Sequence, residues 1–163
     1  MLAKPCRLGF TLLEVLVVLT LISIIAALAV LSIPSDASAQ AKHEGKKLYA
    51  LLRLAQQEAI LQRNRIAWES QANSYRFQQW RDGEWRAFNP DSPLRARALP
   101  PSLQLQVDVA EAPATQEGGM VLFFASGELT PFVATLAMPA TAPPVVEIHA
   151  KADGRLHYAP LPH

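Results

Sequence analysis

Few residues in this chain are placed to do chemistry, and most of them lie at its start. The run Arg7-Leu8-Gly9-Phe10-Thr11-Leu12-Leu13-Glu14 ends a short basic leader in glycine, follows it with an aromatic, and sets a carboxylate four residues later. Thr11 to Glu14 fits the capping box T-x-x-E, and an acid in the first turn suits the helix dipole. A carboxylate at the centre of a membrane helix costs about 2.5–3.5 kcal/mol, but Glu14 lies only about 6 Å along a helix from Phe10, where the cost falls. Elsewhere the signals for catalysis are weak. His43, His149, His157 and His163 show no HExxH or Cys/His pairing, and His149 and His157 read as strand histidines facing each other across a hairpin. No serine has a G-x-S-x-G context and no glycine-rich phosphate loop exists. Glu111 and Glu117 are too few oxygen ligands for calcium. Neither an enzyme activity nor a metal nor a cofactor is expected.

The element that must carry Glu14 is the apolar run 10–33, interrupted only by Thr11, Glu14, Thr20, Ser23 and Ser32. At about 1.5 Å per residue it reaches about 36 Å as a helix, enough to cross a hydrocarbon core of about 30 Å. The competing reading is a secretory signal peptide, with Lys4 and Arg7 as its basic start and Ser35-Asp36-Ala37-Ser38-Ala39 as small residues for a peptidase. The run exceeds the 7–15 residues usual for a signal core, and its one acid sits near its start. Charge flanks both ends, with Lys4 and Arg7 before and Lys42, Lys46 and Lys47 after, so counting positive residues does not orient it.

The junction around Gly9, with the helix to about Val30, resembles the prepilins of type IV pili and type II secretion pseudopili. That resemblance implies cleavage after Gly9 by a prepilin peptidase on the cytoplasmic side and N-methylation of Phe10. It also implies that Glu14 meets the free amine of a neighbouring subunit's Phe10 during filament assembly. The glycine leaves the scissile bond unobstructed, and the apolar helix holds the product in the membrane. Removing residues 1–9 takes away Lys4 and Arg7, so 13 basic residues would face 14 acids, and the only cysteine, Cys6, would go with them. The near-neutral balance does not point to nucleic acid as the main partner, and without a thiol the mature chain has no disulfide or thiolate site.

Beyond Pro34 and a small polar stretch, Leu48, Leu51, Leu52, Ala55 and Ala59 follow helical spacing, with Lys46, Arg53 and Gln57 opposite. The spacing predicts an amphipathic helix over 34–64, continuing the first and needing a sheet to cover it. Strands are predicted at 66–70, 74–80 and 84–88, with Asp82-Gly83 as a hairpin turn. Leu103, Leu105, Val107 and Val109 alternate with polar residues and predict a half-buried strand. Strands at 120–125 and 131–138 surround Ser126-Gly127, and 145–150 pairs with 155–159 across Asp153-Gly154. Residues 89–93, 110–119 and 138–144 read as loops. The fold class is α+β and pilin-like: a long N-terminal helix, transmembrane then amphipathic, packed on antiparallel β-sheet, with residues 65–163 as the β domain.

The segment Ser126-Gly127-Glu128-Leu129-Thr130-Pro131-Phe132, with Leu54 to Ala59 in the helix and the Tyr75-Arg76-Phe77 strand, resembles the H-type minor pseudopilins of type II secretion. Read locally the segment is a hairpin, with Ser-Gly at the turn and Pro131 at a strand start. The alternative is that Ser126, Gly127, Glu128, Thr130 and Pro131 touch a neighbouring subunit. The resemblance implies an inner-membrane, single-pass protein with a cytoplasmic N-terminus and a periplasmic C-terminal domain. It implies as partners the other major and minor pseudopilins, the prepilin peptidase, the inner-membrane assembly platform and the lipid bilayer. A reading from another class rests on seven arginines between Arg63 and Arg97 interleaved with Trp68, Trp80 and Trp85, a composition suited to DNA uptake by a minor type IV pilin. The same residues also fit two tryptophans packed across a hairpin and arginines that solubilise it.

Overall fold

The computed structural model describes residues 12–31, 36–71, 73–110, 120–138 and 143–162. It divides into two compact units, Met1–Ser35 and Asp36–His163. In the first, α1 spans Leu12–Leu31 and carries Glu14 in its first turn. Its described side chains, those of residues 12–23, are all exposed, and its large hydrophobic ones run from Leu12 at 84% to Val17 and Val18 at 44%. Thr20 Oγ1 and Ser23 Oγ donate to the carbonyls of Val17 and Leu19, each at 2.8 Å, so the helix satisfies its own hydroxyls without water. Among the described residues no helix is long and apolar enough to cross a membrane.

The second unit is built on α2, Asp36–Leu61. Its predicted stripe is its buried face: Leu48, Leu51, Leu52, Ala55 and Ala59 are all buried, and Ala41 extends the stripe by two turns. The helix stops three residues earlier than its apolar spacing suggests. Arg63 takes a left-handed φ of 49°, its N–H donates to the Ile60 carbonyl at 3.2 Å, and the Asn64 N–H donates to the Ala59 carbonyl at 3.0 Å. This is a Schellman cap made without the usual glycine. Asn64 then fixes the chain's exit by donating its side-chain amide to the Trp80 carbonyl at 2.6 Å.

Among the described residues nine strands follow: β1 Ile66–Gln71, β2 Ser74–Arg81, β3 Glu84–Ala87, β4 Arg97–Ala98, β5 Gln104–Val109, β6 Met120–Phe123, β7 Phe132–Ala137, β8 Val146–Ala150 and β9 Leu156–Pro160. They form two antiparallel sheets, one ordered β3-β2-β1-β6 with β4 paired to β2, the other ordered β5-β7-β8-β9. Asp82 and Gly83 both have positive φ, 53° and 88°, as a two-residue hairpin turn requires, and Trp80 pairs with Trp85 across it. The alternation predicted for β5 is present: Leu103 and Leu105 are buried, while Gln104, Gln106 and Asp108 are exposed.

The hairpin expected around Ser126-Gly127 does not form as a pair of neighbouring strands. β6 pairs with β1 in the first sheet, and β7 pairs with β5 and β8 in the second, so the segment carries the chain from one sheet to the other. What remains of the expected hairpin is local: a bridge between Phe123 and Leu129, flanked by bonds from the Phe124 N–H to the Glu128 carbonyl and from the Thr130 N–H to the Leu122 carbonyl. The two sheets meet through Trp68 and Phe132, whose ring centroids are 5.2 Å apart, with α2 over both. At Gly45 the helix approaches the second sheet so closely that a Cβ would lie 2.8 Å from Val146 Cγ1.

Candidate functional site

The residues expected to carry processing, Gly9 and Phe10, lie outside the described residues, as does Thr11 of the capping box. Glu14 occupies the first turn of α1, where the helix dipole favours a carboxylate.

The 126–131 segment is held mostly by bonds within the chain. Gly127 has a φ of 89°, and its N–H donates to the Phe124 carbonyl at 3.0 Å while the Phe124 N–H donates to the Glu128 carbonyl at 2.9 Å. Thr130 is bound twice to Leu122: its N–H donates to the Leu122 carbonyl at 2.9 Å, and its Oγ1 accepts from the Leu122 N–H at 3.2 Å. The Pro131 carbonyl accepts from Ala110 at 3.1 Å. Ser126 and Glu128 are exposed, and Ser126 Oγ donates to Glu128 Oε2 at 3.0 Å. Of the five residues read as subunit contacts, these two present the most free surface.

The segment also meets α2, at the stretch that shared its family resemblance. Gln56 Nε2 donates to the Gly127 carbonyl and to the Gly154 carbonyl, both at 2.8 Å. One amide thus ties the helix to the 126–131 turn and to the turn between β8 and β9. Gly154, with a φ of 85°, has no room for a side chain: a Cβ there would collide with the Gly127 carbonyl oxygen and lie 2.6 Å from Gln56 Nε2. The junction is therefore specified by a glutamine and two glycines from three separate stretches.

Beside this junction lies an open groove of about 670 Å³ between α2 and the β8–β9 hairpin. Tyr49, Arg53 and Gln56 line it from the helix, and His149, Lys151, Arg155 and His157 line it from the hairpin. Two acids of the hairpin lie beside lining residues: Glu147 Oε2 is 2.9 Å from His149 Nε2, and Asp153 Oδ2 is 3.2 Å from Arg155 Nε. Arg53 and Lys151 form no ion pair among the described residues. His149 and His157 do face each other in register. Among the described residues no cluster of three or more His, Cys, Asp or Glu side chains is placed to hold a metal ion.

The Arg/Trp-rich region does not form a stacking platform. Trp68 is fully buried, and Trp80 and Trp85 pack edge to face across their hairpin at 5.1 Å. Arg65 lies over the Trp80 ring at 4.8 Å. Arg76 Nε donates to Glu69 at 2.6 Å, Arg86 pairs with Asp82 at 3.3 Å and with Glu84 at 2.8 Å, and Arg97 donates to the Pro93 carbonyl at 3.0 Å. Trp68 is buried, Trp80 and Trp85 pack on each other, and four of the seven arginines are engaged within the chain, so the DNA-binding reading is not supported. Arg97 instead lies near the buried Tyr75 phenol. Burial pushes that phenol up to about 12, with Arg97 pulling it down and Glu44 adding to the rise.

Comparison with known proteins places this architecture. No curated protein sequence matches the chain. The minor pseudopilin EpsH from the type II secretion system of Vibrio cholerae superposes with a TM-score of 0.64 at 24% identity, covering 77% of this chain and 98% of that one. The solution structure of E. coli GspH superposes with a TM-score of 0.62 at 17% identity, covering 79% and 94%. The type IV minor pilin FimU of Pseudomonas aeruginosa follows at 0.55 and 16% identity, covering 78% and 93%. These likenesses establish the pilin-like fold. Residues 4–30 match the prokaryotic N-terminal methylation motif. Because residues 44–154, more than half of the chain, match the type II transport protein GspH, the chain belongs to that family, the H-type minor pseudopilins of type II secretion.

Proposed function

We propose that the chain works as a processed, membrane-drawn building block of the pseudopilus. In this reading residues 1–9 are a leader removed after Gly9, Phe10 becomes a methylated N-terminus, and the run 10–33 holds the protein in the inner membrane with residues 65–163 in the periplasm. The prepilin peptidase and the inner-membrane assembly platform are its transient partners. During assembly Glu14 meets the amine of a neighbouring subunit's Phe10, an attraction strengthened by the low dielectric of the bilayer. The helix then packs among other pseudopilin helices in the filament core while the sheets face outward and set which neighbour follows. The filament helps to push folded proteins through an outer-membrane channel.

The observation that carries this reading is the pairing of the Gly9-Phe10…Glu14 junction with a helix whose described side chains are all exposed and, apart from Glu14, Thr20 and Ser23, apolar. A helix apolar on all sides needs lipid or other helices around it. The test is intact mass and N-terminal peptide mapping of the protein from native membranes, with and without the host's prepilin peptidase. Loss of residues 1–9 and methylation of Phe10, both dependent on that peptidase, is the expected result. Cleavage near Ala39 would mean a secreted domain and would remove the assembly role of Glu14.

A further inference from the structure

The groove between α2 and the β8–β9 hairpin is not used by the processing and packing device at the N-terminus, yet it is open and lined by Arg53, Lys151 and Arg155. The geometry points to it as the docking site for an acidic peptide segment of a neighbouring, different pseudopilin, and so as a determinant of which subunit follows this one. The inference rests on the filament reading above.

Three features set the chemistry of the occupant. Arg53 and Lys151 face the groove from opposite walls without an ion pair among the described residues, which favours an anion. On its floor, Gln56 has both amide hydrogens engaged by the Gly127 and Gly154 carbonyls, leaving Oε1 as an acceptor. A ligand must therefore bring N–H donors as well as negative charge, which a peptide with Asp or Glu side chains does and inorganic phosphate does not. The volume of about 670 Å³ is also far beyond a single anion and suits a few residues of chain. Opposed charge on distinct subunits steers encounter and fixes register, which is what ordered assembly from similar subunits requires.

The test uses the full chain in native membranes, with a photo-reactive residue replacing Ala152, which is exposed on the turn beside Lys151. A second version carries the same residue at Leu16 on α1 to report helix packing in the filament. The Ala152 probe should crosslink to another pseudopilin at a peptide bearing Asp or Glu. Arg53→Glu with Lys151→Glu should reduce that crosslink about tenfold, whereas Arg53→Lys with Lys151→Arg should keep it and the Leu16 crosslinks should persist throughout. If Leu16 still crosslinks to pseudopilins while Ala152 reaches only lipid, a second copy of this chain or nothing, or ignores the charge reversal, the groove is not the dock. If neither position crosslinks to a pseudopilin, the filament reading falls and the groove's role falls with it.

Discussion

Both helices carry leucines and alanines, and they solve opposite problems. On α1 every described side chain is exposed and the first acid is Glu14; on α2 Ala41, Leu48, Leu51, Leu52, Ala55 and Ala59 line one side and are buried against two sheets. The hydrophobic partner of α2 is therefore inside its own unit, whereas the described side chains of α1 remain exposed. Sequence spacing tells the two apart: a stripe at helical period calls for a sheet, while an unbroken apolar run calls for a surrounding that is apolar in every direction. As a pseudopilin the chain associates with other pseudopilins in a pilus-like filament, and their helices are the surrounding proposed for α1.

Substitutions can break this contrast. The largest effect is expected for Leu52→Ala, which empties a fully buried site and should cost about 2–5 kcal/mol in denaturant unfolding of the detergent-solubilised chain. Leu16→Ala, at a side chain 57% exposed, should leave that unfolding unchanged and reduce only association with other subunits. Equal stability losses for the two would mean that α1 is packed within its own chain.

Alkaline pH gives the next effect. The Tyr75 phenol is raised to about 12 from 10.0, so the folded state holds its proton more tightly than the unfolded state does. Its contribution is fully present below pH 10 and is lost as pH climbs towards about 12, an effect of about 2–3 kcal/mol at most. Unfolding free energy should thus fall over that window, and Tyr75→Phe should flatten the fall. A decline of the same steepness in the variant would place its cause elsewhere.

A smaller effect sharpens the fit of α2. Gly45→Ala adds a methyl 2.8 Å from Val146 Cγ1, a stiff β-branched side chain. Overpacking of about 1–3 kcal/mol should outweigh the gain of about 1 kcal/mol in helix propensity, so a modest drop in melting temperature is expected. A rise would show that Val146 yields and that the close crossing is not needed.

Much of the fold was legible because its signals are local. The α2 stripe, the Asp82-Gly83 turn, the β5 alternation and the β8–β9 pairing each depend on residues a few positions apart. What escaped depends on distant partners. Nothing near Ser126 says that β6 will pair with β1 and β7 with β5, so a crossover read as a hairpin. Arg63 ends α2 in a conformation usually given to glycine, and β4, two residues long, has no periodicity to detect. The groove could not be foreseen either, since its cations come from Arg53 and from residues 149–157, and Gln56 reaches its second carbonyl across 98 positions. The processing site is the reverse case: Gly9 and Phe10 are read from the sequence alone.

The most direct test of the central claim, that α1 finds its partners in other pseudopilin helices, is Glu14→Ala followed by co-purification with the other pseudopilins and by secretion. The account predicts that both are lost while the Asp36–His163 unit stays folded. Unchanged co-purification and secretion would contradict it and would leave Glu14 as no more than a helix cap.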